Sequence, residues 1–251
     1  MPSPSGTYRD AVARLAEAQK SSRGAAPYSR WVNRRLGRYL AAWAYGRGLT
    51  PNQVSSISGV FTFAGIAVIA LVRPTWWSSI VVAGLLLAGY AFDSADGQLA
   101  RLRGGGSPAG EWLDHVLDAL KITTLHLAIA ICWFRFYGLT HAAYLLIPLA
   151  YAVVSTVFFF ALLLADLLRR IARVEAGGSS ATTASVNPDE PAPILRSLIV
   201  LPNDYGVLAL AMVLLAAHVV FGVVYALLLG ANALFLLAGS VRWFREMGTL
   251  A

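Results

Sequence analysis

Apolar residues fall in long runs separated by short polar stretches. A helix needs roughly 20 apolar residues to cross a bilayer core. Runs on that scale occupy residues 54–72, 76–96, 110–137, 142–168, 205–219 and 222–243. The last two are divided on length alone. Between Tyr205 and Trp243 there is no polar loop, only His218 and Gly222 near the middle, and the run is too long for one span. The pattern predicts an all-α polytopic membrane protein with six transmembrane helices.

A different pattern precedes the first span. Over residues 29–46, Trp31, Val32, Leu36, Tyr39, Leu40 and Trp43 share one half of a helical wheel, while Arg30, Arg34, Arg35 and Arg38 cluster on the other. This predicts a cytoplasmic amphipathic helix lying on anionic headgroups. Residues 7–21 predict a weaker amphipathic helix, followed by a flexible Ser-Ser-Arg-Gly link. The chain therefore divides into an N-terminal segment of amphipathic helices, residues 1–49, and a six-helix membrane domain, residues 50–251. Within the latter, residues 174–200 read as a mobile cytoplasmic loop, because 177–193 is rich in Gly, Ser, Thr, Ala and Pro.

Composition supports a membrane setting. The chain is 57% hydrophobic and only 13% charged, against about 25% charged in average soluble domains. The net charge is +7. In a membrane protein such an excess marks the cytoplasmic face rather than a nucleic-acid partner. Six spans would place 17 Lys and Arg residues on the side of the termini and two, Arg73 and Arg135, on the other. That asymmetry predicts cytoplasmic termini, and the expected setting is a bacterial cell membrane. The N-terminus lacks a basic segment followed by an apolar one, so no cleavable signal peptide is expected. Cys132 stands alone in an apolar run and reads as a small core residue.

Chemistry concentrates in one stretch. Asp93, Asp96, Gly97, Ala100 and Arg101 lie at helical positions i, i+3, i+4, i+7 and i+8, which share a face. Eight residues later come Gly110, Asp114 and Asp118, the two acids again one turn apart. Gly104, Gly105, Gly106, Ser107 and Pro108 permit a reversal between the two helices. Four converging carboxylates repel unless cations compensate them. Two hard divalent ions would do so, since Mg²⁺ takes carboxylate and phosphate oxygens, and a paired site can clamp a phosphoryl group. Small Gly97 and Ala100 would admit a phosphate to the helix surface, and Arg101 offers it a planar fork. Lys121, one turn after Asp118, could pair with an acid or an acceptor phosphate, and equally could be buried in a dimer contact. His115 reads as a packing residue off the carboxylate face. A cation or proton transporter using the same acids is the alternative from another class. Transporters place such acids near the midplane on broken helices, whereas these lie near one membrane face.

The spacing Asp-x₂-Asp-Gly-x₂-Ala-Arg-x₈-Gly-x₃-Asp-x₃-Asp resembles the signature of the CDP-alcohol phosphotransferase family, with every fixed position filled. The resemblance implies a six-helix membrane enzyme, usually a homodimer. It would transfer a phosphoalcohol from a CDP-linked donor to a second hydroxyl and release CMP. It implies Asp93, Asp96, Asp114 and Asp118 as ligands of two Mg²⁺ or Mn²⁺ ions per active site, with Asp118 also the general base. Gly97, Ala100 and Arg101 then contact the nucleotide, with Ser107 a further contact. Thr50, Pro51, Asn52 and Gln53 resemble the family's Thr-Pro-Asn segment at the CDP site. They equally fit a plain helix start, with Thr50 or Asn52 as the cap and Pro51 in the first turn.

The substrates are less legible. Arg169, Arg170 and Arg173 end the fourth span and could take a phosphorylated acceptor, or could simply anchor the helix. The segment 170–177 faintly resembles actinobacterial phosphatidylinositol phosphate synthases, favouring CDP-diacylglycerol as donor and a polyol phosphate as acceptor in phospholipid synthesis. Leu201, Pro202, Asn203, Asp204 and Tyr205 stand where those enzymes carry a basic residue. Residues 29–34, followed later by residues 50–55, resemble family members that make di-inositol phosphate compounds from CDP-inositol, so a polar CDP-alcohol donor is the alternative.

Overall fold

The computed structural model describes residues 8–17, 26–177 and 201–250. Helices α1 (Tyr8–Glu17) and α2 (Arg34–Gly46) precede the long ones, and a π-helical turn, Ser29–Asn33, leads into α2. Then come α3 (Pro51–Leu71), α4 (Trp76–Leu102), α5 (Pro108–Phe136) and α6 (Leu146–Glu175). A short α7 (Tyr205–Ala211) continues as a 3₁₀ turn, Met212–Ala216, before α8 (His218–Met247). Among the described residues there is no strand.

Five helices are long and apolar enough to cross a membrane: α3, α4, α5, α6 with its leading 3₁₀ turn, and α8. The run at 205–219, expected as a span, forms only the shorter apolar helix Tyr205–Ala216. The break falls at Ala217, whose φ of −95° and ψ of 73° interrupt the helical path, rather than at residues 220–221. The expected loop at 174–200 is only partly observable. α6 continues to Glu175, so its first residues are helical, and residues 178–200 lie outside the described residues. So does the Ser-Ser-Arg-Gly link.

Helix starts follow from local chemistry. Thr50 caps α3 by accepting from the Gln53 backbone N–H, and the Gln53 side chain accepts in return from the Thr50 N–H at 2.8 Å. This reciprocal box with Pro51 behind it is the helix-start reading of that segment. Ser107 caps α5 by accepting from the Gly110 N–H at 3.1 Å, and Pro108 opens the helix. Between α4 and α5 the chain reverses through Gly104 and Gly105, with φ of +95° and +131°. Side chains strain in that region and glycine does not.

Two apolar clusters hold the bundle. The larger joins Ile66 and Ile69 of α3, Leu86 of α4, Leu125 and Ile129 of α5, Met212, and Phe221 and Tyr225 of α8. Cys132 is buried within it, as expected of a small core residue. The smaller cluster ties Leu15 of α1 and Ala41 and Ala44 of α2 to Val54, Ala95 and Leu99. Here a third face of α2, unseen in its two-sided pattern, makes the contact. Gly37 and Ala41 are buried, as is Asn33 just before the helix, whereas Trp31, Leu36, Tyr39 and Trp43 remain exposed. A side chain at Gly37 would collide with Ser94, 2.6 Å away. α2 therefore lies tightly along the end of α4 that carries the acidic motif.

Candidate active site

Asp93 and Asp96 come from α4, Asp114 and Asp118 from α5. The glycine turn brings the two helix ends together. Asp93, Asp96 and Asp114 each place a carboxylate oxygen within 4.8 Å of the others. Asp114, His115 and Asp118 form a second group under the same limit. Asp114 belongs to both, so the acids form one continuous centre. His115 is nearer to it than its helical position suggested, though its ring also meets Phe159 edge-on at 6.3 Å.

Neighbouring side chains fix the acids. Asp96 is buried and accepts a 2.6 Å hydrogen bond from the Ser55 hydroxyl of α3. Lys121 is buried one turn beyond Asp118. Its ammonium donates to Asp93, to Asp118 at 3.3 Å and to the Ser58 hydroxyl at 3.2 Å. The pairing with an acid, left open by the sequence, is thus realised with two of them. One lysine cannot balance four aspartates in a low-dielectric setting. The excess negative charge and the oxygen-rich donors suit hard divalent ions such as Mg²⁺ or Mn²⁺.

A polar cavity of about 240 Å³ opens beside Asp93, Asp96 and Asp114. Gly97 and Arg101 of α4 line it, as do Ser29, Asn33 and Arg34 from the N-terminal segment. A side chain built at Gly97 would meet nothing nearer than Arg101 Nη1 at 3.7 Å. No packing contact requires that glycine, and it costs a helix roughly 1 kcal/mol relative to alanine. Its absent side chain leaves the cavity open. Arg101 has a buried Nε without a hydrogen-bond partner, aligned with a site for an anionic ligand. Burial draws the Arg34 guanidinium below its ordinary pKa, opposed by Tyr90 and reinforced by nearby Arg30. The Arg34 carbonyl accepts from Gln98 Nε2 at 3.1 Å, pinning α2 to α4.

Other expected residues fall at different distances from this centre. Ala100 is half-buried on α4. Ser107 and Thr50 are exposed caps. Asn52 reaches toward α5, where a side chain at Gly110 would lie 3.1 Å from Asn52 Oδ1. Gly110 thus lets α5 approach α3. Arg169 pairs with Glu246 through Nε and Nη2, at 2.7 and 2.9 Å, and with Asp166 at 2.7 Å. Arg170 pairs with Glu111 at 2.6 Å, and exposed Arg173 donates to the Arg169 carbonyl at 3.2 Å. None of the three lines the polar cavity.

The profile of CDP-alcohol phosphatidyltransferases matches residues 48–236. The chain belongs to that family. Two curated relatives are phosphatidylinositol phosphate synthases. That of Mycolicibacterium smegmatis is 29% identical over 126 residues, covering 50% of this chain and 54% of the relative. That of Corynebacterium glutamicum is 37% identical over 93 residues, covering 36% and 38%. The chain thus spans about half the length, or less, of the curated relatives it matches. Apolar helices and family membership together make it an integral membrane protein.

Ser55, Arg34, Asn33 and Tyr90 contribute to this site without having been singled out for it. Ser55 lies just past the Thr-Pro-Asn segment, one turn beyond Pro51. Arg34 and Asn33 lay in the motif shared with enzymes using CDP-inositol, but their charge pattern pointed to headgroups. Tyr90 carried no signal, because one aromatic in an apolar run reads as core.

Proposed function

We propose that the protein transfers a phosphatidyl group from CDP-diacylglycerol to the hydroxyl of a second alcohol, releasing CMP, in phospholipid synthesis. The observation that carries this reading is the convergence of α4 and α5 carboxylates, every pair within each group under 4.8 Å, on a polar cavity with Arg101. Asp93, Asp96, Asp114 and Asp118 would hold two divalent ions, Mg²⁺ or Mn²⁺, which neutralise the pyrophosphate and favour CMP departure. Arg101 binds phosphate oxygens, and Gly97 and Ala100 let them reach the helix. Thr50, Pro51, Asn52, Gln53 and Ser107 border the nucleotide at the helix starts. Asp118 accepts the proton of the acceptor hydroxyl as that oxygen attacks the β-phosphorus. Lys121 holds Asp118 and Asp93 in place.

In this reading Tyr205–Ala216 joins the five long helices as a sixth crossing element. Both termini and the site then face the cytoplasm of a bacterial cell, as the basic residues suggest. Residues 1–49 form a membrane-surface segment and 50–251 the catalytic domain, and the enzyme is a homodimer. A phosphorylated acceptor would draw on Arg169, Arg170 and Arg173, and the pairs of Arg169 and Arg170 with acids would have to open.

One observation favours a second reading, a polar CDP-alcohol donor such as CDP-inositol. Ser29, Asn33 and Arg34, from the segment resembling such enzymes, all line the polar cavity. Purified protein with Mg²⁺ and either donor, assayed for CMP against a panel of acceptors, tests both. Acceptor-dependent CMP from CDP-diacylglycerol supports the first, from CDP-inositol alone the second, and from neither contradicts the proposed reaction.

A further inference from the structure

A second cavity, of about 150 Å³, meets the polar one at Tyr90 and Asp93 and continues past Asp118 and Lys121 to Tyr205. Ile122, Phe159 and Tyr205 are shared with a larger, mainly apolar cavity of about 220 Å³. The basic groups therefore divide unevenly around the acids. Arg34 and Arg101 line the polar side. Among the described residues, Lys121 is the one Lys or Arg lining either of the other two cavities, and Asp93, Asp118 and Ser58 engage it. Asp204 adds a further buried acid at the apolar side. Arg169, Arg170 and Arg173 line none of the three.

One polar atom on the Asp118 side has no partner. The Tyr205 hydroxyl is buried without a hydrogen bond, although its ring is packed edge-on against Tyr90 at 5.1 Å. A buried hydroxyl left unpaired is costly and calls for a ligand. The one basic side chain lining this cavity, Lys121, is already engaged by Asp93 and Asp118, so no basic side chain is left here to hold an acceptor phosphate. An uncharged hydroxyl meets both needs: it can donate to Asp118 and accept from Tyr205.

We propose that this cavity is the acceptor subsite, that it takes an uncharged alcohol rather than an alcohol phosphate, and that Tyr205 positions the reacting hydroxyl beside Asp118. The inference rests on the transfer reaction proposed above and narrows its acceptor. The reacting alcohol loses its proton to Asp118, its oxygen forms the new bond to phosphorus, and the bond from phosphorus to CMP breaks.

The test uses the full-length protein in lipid nanodiscs with Mg²⁺ and whichever CDP-donor releases CMP. Matched acceptors are compared: glycerol with glycerol 3-phosphate, and inositol with inositol phosphate. The uncharged member of a pair should have the higher kcat/KM. Tyr205→Phe keeps the ring against Tyr90 and removes one hydrogen bond, so it should raise the acceptor KM about tenfold with the donor KM unchanged. A purely structural tyrosine would not split the two constants in this way. Preference for the phosphorylated member, or a Tyr205→Phe variant with unaltered acceptor KM, overturns the inference and leaves the transfer reaction standing. CMP from no donor and acceptor pair overturns the reaction, and the inference with it.

Discussion

The first three long helices and the last two are built differently. In the most apolar stretch of α3, α4 and α5, 44%, 39% and 39% of residues are buried inside the protein, whereas the figures for α6 and α8 are 17% and 22%. Lipid is as apolar as leucine, so an outward Val153, Phe160 or Leu237 costs nothing. Inside a membrane, close packing between helices comes from small residues and buried hydrogen bonds. α3 and α4 supply both. Gly89 lies so near α3 that an added side chain would stand 2.1 Å from Thr62 Oγ1 and 3.1 Å from the Ser58 carbonyl. The same half carries Ser55 on Asp96 and Ser58 on Lys121. The acids sit where the bundle is tightest, which keeps four like charges in fixed positions; α6 and α8 complete the walls.

Four variants probe that division. The largest effect belongs to Asp118→Asn. CMP release should fall on the order of a thousandfold, the scale of lost general-base catalysis, while binding of the CDP-donor by isothermal titration stays near wild type. Loss of donor binding alone would assign Asp118 to the ground state instead. Next, Gly89→Ala should destabilise the protein by about 1–3 kcal/mol, the cost of overpacking, and lower its thermal midpoint in detergent.

Asp204 gives a pH effect outside the spans. Burial raises its pKa above the usual carboxylate value, opposed by hydrogen bonds from the backbone of Gly206, Ser29 and Tyr28. An acid raised in the folded state contributes stability that is full below its ordinary pKa and lost as pH rises through the folded one. Thermal midpoints should therefore lose that contribution with rising pH, and Asp204→Asn should remove this component. An unchanged pH slope in the variant would contradict it. The smallest effect is expected in the loosely packed half. A side chain at Gly230 of α8 meets nothing within 4 Å, so Gly230→Ala should change stability by at most about 1 kcal/mol, on the stabilising side. Equal losses for Gly89→Ala and Gly230→Ala would erase the contrast.

Hydropathy and helical spacing made the acidic centre and most long helices legible. The motif worked because each helix carries its own periodicity, and a glycine turn of fixed length sets how their ends meet. Partnerships across the fold were less visible. The spacing allowed Lys121 to pair with Asp118, but nothing near it in the chain says that it also reaches Asp93, or that Tyr205, more than a hundred residues from Asp93, shares a cavity with it. α2 shows why amphipathic patterns mislead. Its aromatic and basic faces dominate the wheel, yet Gly37 and Ala41, too small to register, pack on α4, and Asn33 just before the helix donates to the Tyr90 carbonyl at 3.1 Å. The run at 205–219 shows that apolar composition does not fix helix length: it forms the shorter helix Tyr205–Ala216.

The account depends on α4 and α5 sharing ions, and Mn²⁺ binding followed by electron paramagnetic resonance tests that most directly. Wild-type protein should bind two Mn²⁺ per chain with the spin coupling of neighbouring ions, and Asp114→Asn, which removes the acid common to both groups, should abolish the coupling. Magnetically isolated ions in the wild type, or coupling that survives in Asp114→Asn, would contradict a shared centre.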